Sequence, residues 1–208
     1  MDDVVIIGAG YSDLFDIIED INFNKKIINV VAIVDSKRWK LKEYNSFPIV
    51  KNFEKIKFKK KPYIVNGVGS SNQNRLSVYQ YFKGRFKLYN LIHPSLKRKN
   101  FNLGEGNIIC EQVFIGKRVK LGNNNLISPQ VFLGHDVKIN NNCIFAPTVK
   151  IMGNVKIESD VNFGCGSLVL QKLKIGKGSL ISMGSAVFSD IPRYMKTIVN
   201  PARCIKKI

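Results

Sequence analysis

From Leu103 onward every sixth residue is large and apolar, through Ile109, Ile115, Leu121 and Ile127 to Ile175, Ile181 and Val187, without a break in register. A second track, four residues after each anchor, is mostly small or β-branched, as at Val113, Val119, Val131, Val137, Cys143, Val149 and Ser167. The position after an anchor is often small, as at Gly116, Gly122, Gly134, Ala146, Gly164 and Gly176. A helix repeats near 3.6 residues and a half-buried strand alternates, so neither accounts for this spacing. It fits a repeat in which each hexapeptide makes one short strand and one corner. The large residue points inward, the small one sits near the bend, and three strands close a coil. Fifteen anchors predict five coils of a left-handed parallel β-helix.

The first half follows another pattern. Val4-Val5-Ile6-Ile7 is a short apolar run ending in Gly8-Ala9-Gly10, and Leu14, Ile17, Ile18 and Ile21 follow at helical spacing. Val30 to Val34 is a second apolar run, closed by Asp35. Tyr63-Ile64-Val65 leads into Gly67-Val68-Gly69-Ser70, and Leu76, Tyr79, Tyr81 and Phe82 suggest a second helix. Phe86 to Ile92 reads as a further strand, closed by His93-Pro94. Strand, glycine turn, helix, strand is the order of a parallel sheet with helices on its faces, here half of a Rossmann-type α/β fold. The expected division is a Rossmann-like domain over 1–95 and the β-helix with a C-terminal tail over 96–208.

Chemistry concentrates at few positions. Gly8-Ala9-Gly10 after a strand suggests a phosphate-facing turn at a helix N-terminus, or simply a tight turn. The dinucleotide fingerprint wants a third glycine where Asp13 stands, and an acid there opposes a pyrophosphate. Asp35 ends the second strand, where such folds place a ribose or base contact. His135 lies between the inward Leu133 and Val137, on the outer surface of its coil, where an imidazole can act as general base. Asp136 beside it can orient the ring or raise its basicity. His93, before Pro94, reads as structural.

Composition narrows the alternatives. The chain has 208 residues, long enough for two small domains with real cores. It opens on Met1-Asp2-Asp3, where a secretory leader would be basic, and no apolar run is long enough to span a bilayer, so a cytoplasmic protein is expected. Cys110, Cys143, Cys165 and Cys204 make no C-x-x-C pair and read as small core filler in a reducing compartment. The net charge of +18 comes mainly from Lys spread along the chain. That argues against a nucleic-acid surface and for steering of anionic substrates. Some hexapeptide β-helices are zinc carbonic anhydrases with three histidine ligands; two histidines cannot supply that set, and no metal is expected.

The order of these elements resembles the NeuD/PglD type of hexapeptide-repeat sugar acetyltransferase, the group of sialic acid O-acetyltransferases and nucleotide-amino-sugar N-acetyltransferases. The likeness runs through Val4 to Gly10, Ile33-Val34-Asp35, Gly67-Val68-Gly69 with Arg75, Ile92-His93-Pro94-Ser95, Gly134-His135-Asp136, Gly153-Asn154-Val155 and Asn200-Pro201-Ala202-Arg203. The resemblance implies a homotrimer with active sites between neighbouring β-helices. It implies His135 as catalytic base supported by Asp136, and a Gly153 N–H offered to the thioester oxygen. Acetyl-CoA would lie along the later coils, near Gly153, Gly164, Cys165, Ser182, Met183 and Gly184. The nucleotide end of an amino-sugar substrate would sit near Gly8, Gly10, Tyr11, Asp35, Gly67, Val68, Gly69 and Ser70. Three residues depart from the family pattern: Tyr11, Ile144 where a second histidine is common, and Val199 before the Pro-Ala tail. The expected activity is N-acetylation of a nucleotide-linked amino sugar in bacterial surface glycan synthesis. The rivals are sugar O-acetylation of the sialic-acid type and a non-catalytic nucleotide-sugar-binding scaffold.

Overall fold

The computed structural model describes residues 1–69, 71–96, 101–198 and 200–207. β1 (Asp2–Ile7) and β2 (Ile28–Val34) pair in parallel and are joined by α1 (Asp13–Asn22), which buries Leu14, Phe15, Ile17 and Ile18. β3 (Glu43–Tyr44) and β4 (Phe47–Val50) form a hairpin, and β4 continues the sheet in parallel beside β2. β5 (Tyr63–Asn66) lies on the other side of β1, so the sheet order is β3-β4-β2-β1-β5. The chain therefore leaves β1 toward one side while β5 flanks the other. The carboxyl ends of β1 and β5 mark the point where strand order reverses, the usual crevice for ligands in open parallel sheets.

α2 (Asn72–Phe82) begins at Ser71, whose hydroxyl accepts the Asn74 N–H. The sequence pattern puts Leu76, Tyr79, Tyr81 and Phe82 on its apolar face. The structure buries Tyr79 and Phe82 but leaves Tyr81 46% exposed, its ring under the Arg85 guanidinium, and buries Arg75. The hairpin of β3 and β4 was not expected from sequence. The segment read as one strand over 86–92 is divided. Leu88 bridges to Ile64 at the edge of β5, and β6 (Leu91–Ile92) then pairs with Ile108–Ile109 of the following repeat. One run of chain thus ties both sheets together.

The repeat forms fifteen two-residue strands, from Asn102–Leu103 to Ala186–Val187. Each of the first twelve strands pairs in parallel with the one 18 residues on, as in Lys120↔Lys138, Leu126↔Ile144 and Phe132↔Lys150. Three faces and five coils result, matching a left-handed β-helix. The anchors fill the prism: Ile109, Ile127, Leu133, Phe145, Ile151, Phe163, Ile175 and Ile181 are buried, and the Phe145 and Phe163 rings stack at 4.8 Å. A third track appears only in the backbone. Gln112, Arg118, Asn124, Gln130, Asp136, Asn142, Thr148, Asn154 and Asp160 all have left-handed φ, and Gly166, Gly178 and Gly184 continue the series. One left-handed residue turns each corner. Asn, Asp and Gly reach that conformation at least cost, which explains the Asn-rich repeat.

The three faces differ outside. On the first, Lys120, Lys138, Lys156 and Lys174 stand in register on neighbouring strands and are exposed. Like charges directly opposite cost roughly 0.2–1 kcal/mol each. The melting temperature is therefore expected to rise as NaCl goes from about 0.01 to about 0.15 M, and Lys138→Gln is expected to flatten that rise in a fluorimetric melt. The second face is covered by the first domain: Ile108, Cys110, Leu126 and Ile144 share one core with Val4, Ile6, Leu14 and Leu91. The third carries Phe114, stacked on Phe132 at 4.8 Å, and Leu168. The chain ends with Met195–Ile198, which extends the second face, and Arg203–Lys207 antiparallel to it. Among the described residues no helix is long and apolar enough to cross a membrane.

Candidate active site

His135 follows the strand Phe132–Leu133 at the corner between the third and first faces, and its side chain is 60% exposed. Its Nδ1 lies 2.8 Å from Asp136 Oδ2. Asp136 has the left-handed corner conformation, and its N–H donates to the Lys117 carbonyl. From the coil before, Arg118 donates Nε to Asp136 Oδ1 and Nη2 to Oδ2, both at 2.7 Å. These two bonds, and then the one from His135, hold the Asp136 carboxyl far below the usual carboxylate range. An ionised carboxylate only accepts, so the neutral imidazole carries its proton on Nδ1 and keeps a lone pair on Nε2. That is the form a base needs. Sequence reasoning missed Arg118; its signal is an opposite charge in Asp136's own column, one coil back.

Gly153 is the counterpart of His135 one coil further on. A Cβ built there would lie 2.7 Å from His135 Nε2 and 2.8 Å from Cε1. The imidazole thus rests across a bare backbone. The Asn154 N–H donates to the His135 carbonyl at 2.9 Å, which locks the two corners together. Among the described residues nothing accepts from the Gly153 N–H.

The residues expected to hold the acyl donor lie elsewhere in the chain. Gly164, Cys165, Ser182, Met183 and Gly184 form the corner between the second and third faces, so the third face separates them from His135. Gly164 packs under the Met183 backbone, the Gly184 N–H donates to the Cys165 carbonyl, and the Ser182 hydroxyl is taken up by the Thr197 carbonyl. Met183 is 74% exposed, and the space around Gly184 is open.

The glycine turns of the first domain do come together. A Cβ on Gly67 would strike the Gly8 carbonyl, the Tyr11 N–H donates to the Gly67 carbonyl at 3.0 Å, and a Cβ on Gly69 would meet Tyr11. Only bare backbone allows this approach at the ends of β1 and β5. Val68 packs against Gly8. Asp35 is buried and engaged within the chain: it accepts the N–H groups of Ala9, Lys37 and Arg38 and a bond from the Arg38 guanidinium. Those bonds keep its carboxyl below the usual range against the opposing pull of burial. Tyr11 reaches the β-helix, its hydroxyl 2.9 Å from Cys110 Sγ and 3.3 Å from Ser128 Oγ. Burial pushes the Tyr11 hydroxyl up, and the Cys110 thiol up to about 12. Ser70 and Val199 lie outside the described residues, and Ile144 sits beneath the first domain, away from the His135 corner.

His93 bonds Asp20 through Nε2 at 2.6 Å and Ser95 through Nδ1 at 2.8 Å, clasping α1 to the end of β6. Cys110 and Cys143 are buried, whereas Cys165 is half-buried and Cys204 exposed, so core filling describes only the first two. Among the described residues no group of three or more His, Cys, Asp or Glu is placed to hold a metal ion.

No protein-family model and no curated protein matches the sequence. Solved structures do. The acetyltransferase domain of PglB from Neisseria gonorrhoeae superposes with a TM-score of 0.86 at 21% identity, covering 99% of this chain and 100% of that one. A perosamine N-acetyltransferase from Caulobacter crescentus, in complex with CoA and GDP-perosamine, gives 0.85 at 23% identity over 99% and 98% of the two chains. WeeI from Acinetobacter baumannii gives 0.86 at 20% identity over 99% and 100%. Along nearly its whole length, the chain has the fold of these three proteins.

Proposed function

We propose that this chain is an acetyl-CoA-dependent N-acetyltransferase acting on a nucleotide-linked amino sugar, with His135 as general base. The observation that carries the proposal is the Arg118–Asp136–His135 relay laid over Gly153. It fixes the tautomer, exposes Nε2 and leaves a backbone N–H unclaimed beside it. The similar structures add support, since one holds CoA and GDP-perosamine together. The neutral amine attacks the thioester carbonyl and loses a proton to His135 Nε2. The tetrahedral oxyanion is held by backbone N–H, for which Gly153 is the candidate. The C–S bond then breaks, and the departing thiolate takes the proton back from His135. Neither buried thiol serves as nucleophile; burial pushes Cys143, like Cys110, up to about 12.

The working unit in this reading is a homotrimer. Donor residues and His135 flank opposite edges of the third face. A cyclic head-to-tail contact sets one edge against the opposite edge of the next copy and so brings them together. That face and its edges expose Phe114, Leu168, Leu170, Phe188 and Met183, the kind of apolar strip an interface covers. Tyr11 meets Ser128, which shares the coil 120–137 with His135, so the first domain of one copy stands level with the base of its neighbour. The first domain, read as a Rossmann-like half over 1–95, holds the nucleotide at the ends of β1 and β5. Both co-substrates are cytoplasmic metabolites, which places the reaction there.

The test is transfer from acetyl-CoA to UDP-, GDP- and dTDP-linked amino sugars, set against a sialic acid hydroxyl. The expected product is a stable amide, seen by mass spectrometry with release of CoA. An ester product instead, or no CoA release with any amino sugar, overturns the proposal. Light scattering is expected to show three times the 23.5 kDa chain; a monomer at assay concentration refutes the shared site.

A further inference from the structure

Among the described residues Arg75 is the largest fully buried side chain, and its bonding is unusual for a buried charge. Its Nη1 donates to the carbonyls of Asn66 at 3.1 Å and Val68 at 2.5 Å, and its Nη2 to Asn124 Oδ1 at 3.4 Å. Its Nε is buried without a partner among the described residues. Among the described residues no carboxylate bonds it. The nearest along the hydrogen-bond chain is Asp160, reached through two amides: Asn124 donates to Asn142 at 2.9 Å, and Asn142 to Asp160 at 2.8 Å. Burial lowers the guanidinium only to about 10, so it stays cationic at neutral pH. Buried charges are normally paired, because an unpaired one costs several kcal/mol.

The bond to Val68 has a second consequence. In a planar trans peptide the carbonyl and the N–H point in opposite directions. Arg75 holds the Val68 carbonyl, so the Gly69 N–H faces away from it. Gly10 is close to that peptide: a Cβ on Gly10 would be 3.7 Å from Gly69 N. Among the described residues neither the Gly10 nor the Gly69 N–H has an acceptor. These two free donors sit where β1 and β5 end. The start of α1 is a poor source of positive field there, since Asp13 and Asp16 occupy its first turn.

We infer that Arg75 is the positioning residue of a diphosphate site: it aims the Gly69 N–H beside that of Gly10, and its unpaired charge is balanced when a nucleoside diphosphate occupies the crevice. Arg75 does not touch the ligand. The inference rests on the proposed nucleotide-binding role of the first domain and names what that domain recognises, the diphosphate more than the base.

Calorimetry with UDP, GDP and dTDP, each beside its parent nucleoside, tests this on the full-length protein, with Arg75→Gln, Arg75→Lys and Asn124→Ala. The wild type is expected to prefer at least one diphosphate to its nucleoside. Arg75→Gln keeps donors for the two carbonyls but no charge, and is expected to lose about tenfold of that preference with nucleoside affinity unchanged. Arg75→Lys and Asn124→Ala retain the charge and are expected to retain most of the preference. A purely structural role would weaken diphosphate and nucleoside alike. An unchanged ratio in Arg75→Gln, or an equal loss for both ligands, overturns the inference. If Arg75→Gln does not fold, amide exchange in the wild type decides: Gly10 and Gly69 should be protected by the diphosphate and not by the nucleoside, and equal protection overturns it. Failure of the wild type to bind any diphosphate removes the nucleotide reading itself, and the inference with it.

Discussion

Replacing His135 with Ala is expected to lower kcat by about 10²–10⁴-fold while leaving the KM for acetyl-CoA close to its wild-type value. The side chain is largely exposed, and among the described residues its ring bonds only Asp136, so removing it opens no cavity and strands no buried group. The interaction lost is made as the proton moves, which places the deficit in kcat. Asp136→Asn is the companion variant. It removes the ionised acceptor and lets the ring adopt the other tautomer, with the proton on Nε2. Acidity acts on the same relay. A carboxyl whose folded pKa is depressed contributes stability that is present above its unfolded value and lost only as pH falls through the depressed one. Asp136 is such a group, so its carboxylate stays ionised throughout the neutral range and the relay it anchors is intact there. Stopped-flow or steady-state release of CoA checks these outcomes. A folded His135→Ala that binds both ligands and keeps near wild-type kcat shows that another group is the base.

The repeat was legible because the β-helix imposes its period at every rung: one inward residue per strand, in a fold whose coils stack without offset. Its corners were half legible. Small residues after the anchors marked them, but the left-handed position was hidden, since Gln112, Arg118 and Lys172 share it with Asn, Asp and Gly. The hairpin of β3 and β4 had a weak signal. Asn45 and Ser46 turn it with φ of 49° and 61°, as a two-residue loop requires, yet Ser is not the glycine that usually announces such a turn. Arg75 defeated the pattern for α2 because a buried cation looks like a surface residue in sequence. The site was partly legible for the same reason as the repeat. Knowing the inward track placed His135 outside and Asp136 beside it. The column that adds Arg118 and Gly153 required knowing that residues 18 apart touch, and the separation of His135 from the corner of Gly164, Cys165, Ser182, Met183 and Gly184 required the faces to be assigned.

Gly153→Ala is expected to lower kcat by about 10²-fold without loss of the fold, because a displacement near 1 Å at a reacting group costs that much. Gly153 does not need a left-handed φ, so Ala brings no backbone strain, and the three atoms nearest the new methyl all belong to the His135 ring, the closest being Nε2 at 2.7 Å. That ring is at an exposed corner and can swing aside, so the melting temperature should hardly move. Gly134→Ala is the contrast. There a Cβ lies 2.7 Å from Gly153 N and 2.8 Å from the Met152 carbonyl carbon, both backbone atoms that can yield only if the coils separate. That variant should lose stability. The Gly153 N–H survives in Ala, so the experiment isolates where the imidazole sits from what the backbone donates. A double-mutant cycle completes it. If Gly153→Ala acts by moving the ring, it should cost little more once His135 is already Ala, because the two residues then work as one unit. A full additional loss in that background would place the effect in the backbone donor, and an unchanged kcat in the single variant would show that the ring does not work from its place over Gly153.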